Sequence, residues 1–564
     1  MNLTRPASTP PRDTLLAALL AVGVMACAGI VAALHWRLFR SAIWPDVAKA
    51  AIAAGALAML AWERHRRRAG RPVARRTARR MGIALVAAAV LAWYAGALYA
   101  YRGFFHVWDQ FHYVVGSKYF RELGYDGLYR CAAVALDQTG TVRQRDGSPV
   151  DLRAEVRAPG FLVRDLDRGN VLVPAAGALA DPGACTGRFT PARWNAFRRD
   201  VVFFRMAAGA QHWAQMQRDH GYNPPPPWTA VGGAVAGLRP ASSGWMVALA
   251  LLDPLLVLGA FAALAWAFGW RTASLAAVFW GCQAFAPFFW TGGAFLRQDW
   301  FFLSVLAVSL SRRGRHAAAG ASLAVAACLR VFPALLAIGW VVMLLDPRTA
   351  RPRRRAMLRT AAGGLAAAVV MLAAGAAAAG PGAYPAFVRH IRLHERTPLT
   401  NEMGLRPLLT SGIGHGPASG RLRYLRDERL PDPVQPWKDV RSARWRSRQP
   451  VAWMLALLLA APFVIAVRRA RRTWAAPGLS TLWIALMLQL TSYYYAVLVA
   501  IAPLARLRRR LEVWMPAAAL ASQIAAAALW WMDERHLALS AIALALVIAA
   551  NSVFVIRGSR RLGR

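Results

Sequence analysis

The feature that most limits this chain is a recurring unit: an apolar run, an aromatic edge, then a cluster of arginines. Residues 14–36, 81–101, 245–270, 360–379, 513–531 and 537–556 are the longest such runs. Their lengths suit a bilayer, whose hydrocarbon core needs about 20 apolar residues in a helix. A soluble chain of 564 residues would divide into several domains and would not be 57% hydrophobic. The pattern predicts an all-α polytopic membrane protein, with its 23 tryptophans at the interfaces.

The formal charge of +42 fits this reading. So basic a balance is also a mark of nucleic-acid binding. Here, however, the basic residues are nearly all arginine, and Lys49, Lys118 and Lys438 are the only lysines. The arginines cluster between apolar runs, where positive charge held on the cytoplasmic side accounts for them. No nucleic-acid partner is expected.

The first run, preceded by Arg5 and Arg12, is too long for a signal-peptide core and reads as an anchor that stays in place. A second, shorter span covers 47–62. A dense basic loop follows at 63–81, so the third span, 81–101, crosses outward. Shorter apolar segments at 273–290, 300–310, 317–328, 333–345, 451–467, 479–491 and 493–504 complete about 14 expected crossings, with both termini inside. Several are short and broken by polar residues, the form expected of helices that line a cavity.

These boundaries divide the chain into five parts: helices and a basic loop at 1–101, an extracytoplasmic region at 102–243, a central bundle at 244–380, a second outer loop at 381–450, and C-terminal helices at 451–564. The second loop ends in Arg441, Arg444, Arg446 and Arg448, against the charge rule. Turning it inward would expose three other arginine clusters, including 557–564, so it stays outside. Within the first region, 113–129 reads as helical with turns at Gly124 and Gly127. Residues 137–170 read as a small hairpin or irregular loop. Residues 201–217 read as an amphipathic helix lying on the membrane, and 224–227 as a stiff polyproline spacer. Cys27, Cys282 and Cys328 lie in apolar runs. Cys131 and Cys185 share the polar region, where they either close a disulfide or stay as two thiols. No CxxC or HExxH spacing suggests a metal site.

The unusual polar residues gather at the outward ends of spans. Asp109, with His106, His112 and Tyr113, follows the third span. Arg297, Gln298 and Asp299 sit between two spans, and Arg330 ends a short outward helix. His390, His394, Glu395, Arg396, Asn401 and Arg406 lie in the second outer loop, and Tyr493, Tyr494 and Tyr495 cap a late span. Asp253 is within an apolar run. A polar set on one side of a bilayer suits glycosyl transfer from a lipid phosphate. A carboxylate takes the acceptor proton, and arginines hold the departing phosphate. Each residue also has a structural alternative. Asp109 can cap a helix, Asp253 can pair across the bundle, and Arg330 can snorkel.

The run Asp109-Gln110-Phe111-His112-Tyr113, with Gly116, Tyr119, Leu123-Gly124 and Leu128-Tyr129, resembles the first outer loop of glycosyltransferase family 87. Gln298, followed by Ala319-Gly320 and Leu329-Arg330-Val331-Phe332-Pro333, is similar to a second family pattern, which commonly carries Lys where Arg330 stands. Asn401 with Leu405 is a third, looser likeness. The resemblance implies a GT-C-like helix bundle with extracytoplasmic loops and interfacial helices. It also implies a polyprenyl-phosphate mannose donor, a glycan or glycolipid acceptor, no cofactor, and Asp109 as the catalytic base. Arg330, Arg297, Gln298, His112, Tyr113, Asp253, Asp299 and Asn401 are the expected donor-phosphate and substrate contacts. The setting implied is a bacterial inner membrane, with the site facing the periplasm. The two spans before Asp109, and the stretch 131–227, which reads as an insertion, depart from the family. The alternatives from other classes are a transporter or flippase for a lipid-linked or anionic substrate, and a scaffolding subunit.

Overall fold

The computed structural model describes residues 12–39, 44–100, 104–144, 146–167, 169–412 and 419–556. Arg5, Tyr101 and the arginines between 557 and 564 lie outside them. The described chain is mostly helical, with three two-stranded antiparallel strand pairs, two of them hairpins. Six helices are long and apolar enough to cross a membrane: Trp44–Arg68, Ser243–Phe268, Arg351–Ala379, Gln435–Ala470, Leu511–Ala528 and Met532–Val555.

In chain order, α1 (Arg12–Phe39), α2 (Trp44–Arg68) and α3 (Arg75–Tyr94) open the bundle. The basic loop expected at 63–81 is mostly helix, because α2 and α3 run past the apolar core at that end. α4 (Leu128–Thr139), α5 (Pro191–Ala208), α6 (Ala210–Met216) and α7 (Pro226–Ala236) build the first outer region. The bundle resumes with α8 (Ser243–Phe268), α9 (Trp270–Cys282), α10 (Asp299–Arg312), α11 (His316–Arg330), α12 (Phe332–Leu345) and α13 (Arg351–Ala379). After α14 (Ala383–Glu395) come α15 (Gln435–Ala470), α16 (Ala476–Met487), the 3-10 helix α17 (Ser492–Arg506), α18 (Leu511–Ala528) and α19 (Met532–Val555).

The short helices α10, α16 and α17 are largely buried. Sheathed by longer neighbours, they need not span hydrocarbon alone, and α17 can keep its 3-10 form. α13 is the opposite case: long, apolar and exposed along nearly its whole length. It touches the rest chiefly through α11. A Cβ on Gly320 would stand 1.8 Å from the Thr360 carbonyl oxygen, and one on Gly363 2.1 Å from that of Ala317. Only glycine permits that approach, so the two helices pack backbone to backbone.

The arginine clusters meet at one end of the bundle. Arg271 bridges Glu63 at 2.8 Å and Glu512 at 3.0 Å. Arg506 donates to the Phe268 carbonyl, and Arg312 lies against Phe268 and Trp474. Arg441 to Arg448 are the exception, and the structure accounts for them. They belong to the first turns of α15, so the outer loop expected to reach 450 ends at 434. At 36 residues, α15 is roughly 54 Å long, well beyond a bilayer core of about 30 Å. Its extra turns stand clear and hold the preceding loop: Arg444 donates to Ser419 O at 2.7 Å, and Arg448 to Leu409 O.

Residues 105–236 supply most of a second hydrophobic core, to which Met246, Leu249, Phe295 and Leu329 of the bundle also belong. The hairpin expected between 137 and 170 forms as 141–143 with 149–151. A second pairs 162–165 with 171–174. Cys131 and Cys185 are joined in a disulfide that ties α4 to residues 183–186. The expected membrane-surface helix at 201–217 is broken at Gly209, and Phe204, Trp213 and Met216 are fully buried in this core. An amphipathic pattern does not say whether its apolar face meets lipid or protein. The expected proline spacer also differs: Pro226 and Pro227 are the first residues of α7, where a missing N–H costs nothing.

Candidate functional site

A cavity of about 580 Å³ lies where the first outer region meets the bundle and residues 398–401 and 432–438. Asp109, His112, Tyr113, Arg297 and Asn401 line it. The wall begins in a one-turn helix, Val107–Gln110, whose N-cap is His106; the ring Nδ1 accepts from the Asp109 amide at 3.4 Å. A π-turn at Phe111–Val115 follows, a widened geometry that recurs at functional sites.

Gln110 clamps this wall to the facing loop by donating to Gly293 O and Met246 O at 3.0 and 2.9 Å. His106 N donates to Gly293 O at 2.8 Å. Gly293 has φ +70°, and a Cβ there would crowd Phe105 and His106. Leu296 and Val331 also hold positive φ, 50° and 59°, a costly state for residues with a Cβ that tends to mark functional sites.

Asp109 is 6% exposed. Its Oδ1 accepts from Phe295 N at 3.3 Å, and its Oδ2 lies 2.9 Å from Arg297 Nε, a contact between charges rather than an aligned hydrogen bond. The guanidinium is 4.2 Å from the Tyr113 ring centroid and 4.9 Å from that of Tyr493, and it donates to both phenol oxygens. Burial pushes the Asp109 carboxyl above the ordinary aspartate value, while Arg297 and the Phe295 amide pull it partly back. His112 bonds Trp108 O through Nδ1 and Tyr129 OH through Nε2, both at 2.7 Å.

The other expected contacts stand behind this wall. Asp253 accepts the amides of Arg297 (2.9 Å) and Gln298 (3.0 Å), so it orients backbone. The Gln298 side chain reaches Thr291. Asp299 accepts from Trp228 Nε1 at 2.8 Å and Trp300 N at 2.6 Å. Arg330, 3.9 Å from Asp299, donates to Leu296 O (2.9 Å) and Leu329 O (3.1 Å), so it holds the strained Leu296 against the end of α11. None of these four side chains lines the cavity.

The opposite wall holds residues that sequence reasoning passed over: Arg164, Asp219, His220, Asp432 and Lys438. Lys438 and Arg164 share Asp432, at 2.7 and 3.9 Å. Arg164 is held by the carbonyls of Arg218 and Asn170. The stretch that reads as an insertion is therefore part of the site. The scarcity of lysine was the one signal that singled out Lys438; Arg164 carried none among so many arginines. Burial lowers His106 to about 3 and His220 well below the usual histidine value, with Arg297 and Arg164 respectively as the next cause. Positive charge at the cavity thus comes from Arg164, Arg297 and Lys438, facing the carboxylates of Asp109, Asp219 and Asp432. Among the described residues no group of three or more His, Cys, Asp or Glu is arranged to hold a metal ion.

Compared with known proteins, the chain matches no family model, no curated protein and no solved structure.

Proposed function

We propose that this protein is an integral-membrane glycosyltransferase of GT-C type. It moves a sugar, mannose or a similar hexose, from a polyprenyl-phosphate donor to a glycan or glycolipid acceptor. The observation that carries the proposal is the Asp109–Arg297 pair on the wall of this cavity, held between Tyr113 and Tyr493. A buried carboxylate with a raised pKa is a stronger base than a solvated one. Asp109 takes the proton of the acceptor hydroxyl as it attacks the anomeric carbon. Arg297 keeps Asp109 ionised beforehand and faces the negative charge that builds on the departing phosphate. Arg164 and Lys438 offer that phosphate a second cationic contact. In this reading the arginine-rich end lies in the cytoplasm of a bacterial inner membrane and the cavity opens to the periplasm, which the positive-inside rule and the Cys131–Cys185 disulfide both favour.

A transporter or flippase needs a polar path to the far end. Beneath Arg297 the bundle is filled by Trp300, Phe301 and the buried face of α17, which favours the transferase.

The test is transfer of radiolabelled mannose from polyprenyl-phosphate mannose in proteoliposomes containing the full chain. The wild type transfers label, and Asp109→Asn, inserted to the same level, loses about 10²–10⁴-fold. Undiminished transfer by Asp109→Asn would remove Asp109 from the role of base.

A further inference from the structure

A second polar concavity lies at the other end of the molecule, among the arginine clusters. It encloses about 280 Å³ between the C-terminal ends of α12 and α15 and the first turn of α13. Arg348, Arg353, Arg468 and Arg471 surround it, with Asp346 the one acid on its wall. Asp346 is already engaged: its oxygens accept from Arg468 at 2.9 and 3.2 Å and from the Arg348 amide at 3.1 Å. The guanidinium groups of Arg348, Arg353 and Arg471 make no hydrogen bond or ion pair with the described residues. The pocket therefore holds three uncompensated positive charges.

Arginines that merely set topology are spread along solvated loops. Here two segments distant in sequence, 342–353 and 467–471, bring them around one hollow, and its floor is apolar, formed by Met343 and Val467. Arg471 takes a left-handed backbone, φ 51°, at the end of α15. The lipid-facing ridge of α12 runs up to the same place: Val341 is 48% and Leu345 73% exposed. A ligand that fits is anionic at one end and apolar at the other.

We propose that this pocket binds the phosphate headgroup of an anionic membrane phospholipid, with its acyl chains along Val341 and Leu345. Guanidinium forks bind phosphate oxygens in pairs, and basic pockets between membrane helices suit such headgroups. A zwitterionic lipid carries the same phosphate but brings an ammonium group into a site of net positive charge. This inference is independent of the transfer reaction at the far cavity.

The test is native mass spectrometry of the detergent-solubilised full chain offered equal amounts of dioleoylphosphatidylglycerol and dioleoylphosphatidylcholine. The first bound lipid is expected to be the glycerol lipid, with a preference on the order of tenfold to a hundredfold. In the combined variant Arg348→Gln, Arg353→Gln and Arg471→Asn the preference falls to about threefold or less. Asn is chosen at 471 because it tolerates the left-handed backbone. A control with Arg67→Gln, Arg76→Gln and Arg80→Gln, at the same end but outside the pocket, keeps it. Three results overturn the proposal: equal loading of both lipids on the wild type, an equal loss in the control, or displacement of the lipid by inorganic phosphate at millimolar concentration. The last would identify a site for free phosphate. The wild-type competition needs no variant, so it decides even if the triple variant does not fold.

Discussion

Asp109–Arg297 and Asp299–Arg330 are the same pair of side chains, both buried, attached to one short loop at 297 and 299. They differ in direction and in what else they hold. Arg297 points its guanidinium at two phenols on the cavity wall, with the carboxylate of Asp109 beside it. Arg330 lies behind the wall, over the rings of Tyr113 and Trp228, and donates to the carbonyls of Leu296 and Leu329, while Asp299 is committed to Trp228 and Trp300. The first pair lies on the cavity wall, and the second holds the carbonyl of Leu296 in the loop that presents it. Burial and charge alone do not separate a group that faces the cavity from one that stands behind it.

Four measurements would break or sharpen this contrast. The largest difference is expected in turnover. Asp109→Asn loses about 10²–10⁴-fold in transfer, while Asp299→Asn, corrected for folded protein, stays within about tenfold of the wild type. Equal losses from the two would erase the distinction.

Next comes stability. Arg330→Gln strands Asp299 and frees Leu296 O, and breaking such a buried pair costs about 3–5 kcal/mol. A lowered melting temperature with near-normal turnover per folded molecule is expected. An unchanged melting temperature with lost turnover would place Arg330 among the ligand contacts after all.

The disulfide stabilises the side that carries Asp109. Cys131 and Cys185 are 54 residues apart, and removing such a link costs about 2–4 kcal/mol. The double change Cys131→Ser and Cys185→Ser should open 102–243 to protease before the bundle. Simultaneous cleavage of both would argue that the two cores unfold as one.

The smallest effect concerns Glu402, opposite Thr491 in the long-range strand pair that leads to Tyr493. Burial raises its pKa to about 7, against the pull of the Leu399 amide and Arg441. The folded state therefore binds the proton more tightly than the unfolded one. Stability contributed by that proton is full below about pH 4.5 and is lost as pH rises through about 7. Glu402→Gln should gain up to about 3 kcal/mol on the wild type at pH 8 and little at pH 5. A gain that does not vary with pH would show that Glu402 is ionised throughout.

Much of the site was legible before folding. Asp109, His112, Tyr113 and Arg297 stood out as polar residues at the ends of apolar runs, and Asn401 as a residue of the second outer loop; all five line the cavity. Gln298, Asp299 and Arg330 stood out for the same reason, and Asp253 as an acid within an apolar run; none lines it, because hydropathy along a chain carries no information about which way a loop turns. Residues 201–217 show the same limit: their apolar face was visible, but its partner was not. Arg164 lay hidden in a stretch whose hairpin pairing brings it to the wall.

By itself the sequence determined that the chain is mainly helical, with helices apolar enough to cross a membrane, and which stretches collect arginine, since both follow from the solvation of each residue where it stands. The tertiary structure decided which polar groups share a space. Asp109 and the amide of Phe295 are 186 residues apart, and their meeting depends on packing among helices that no local pattern encodes.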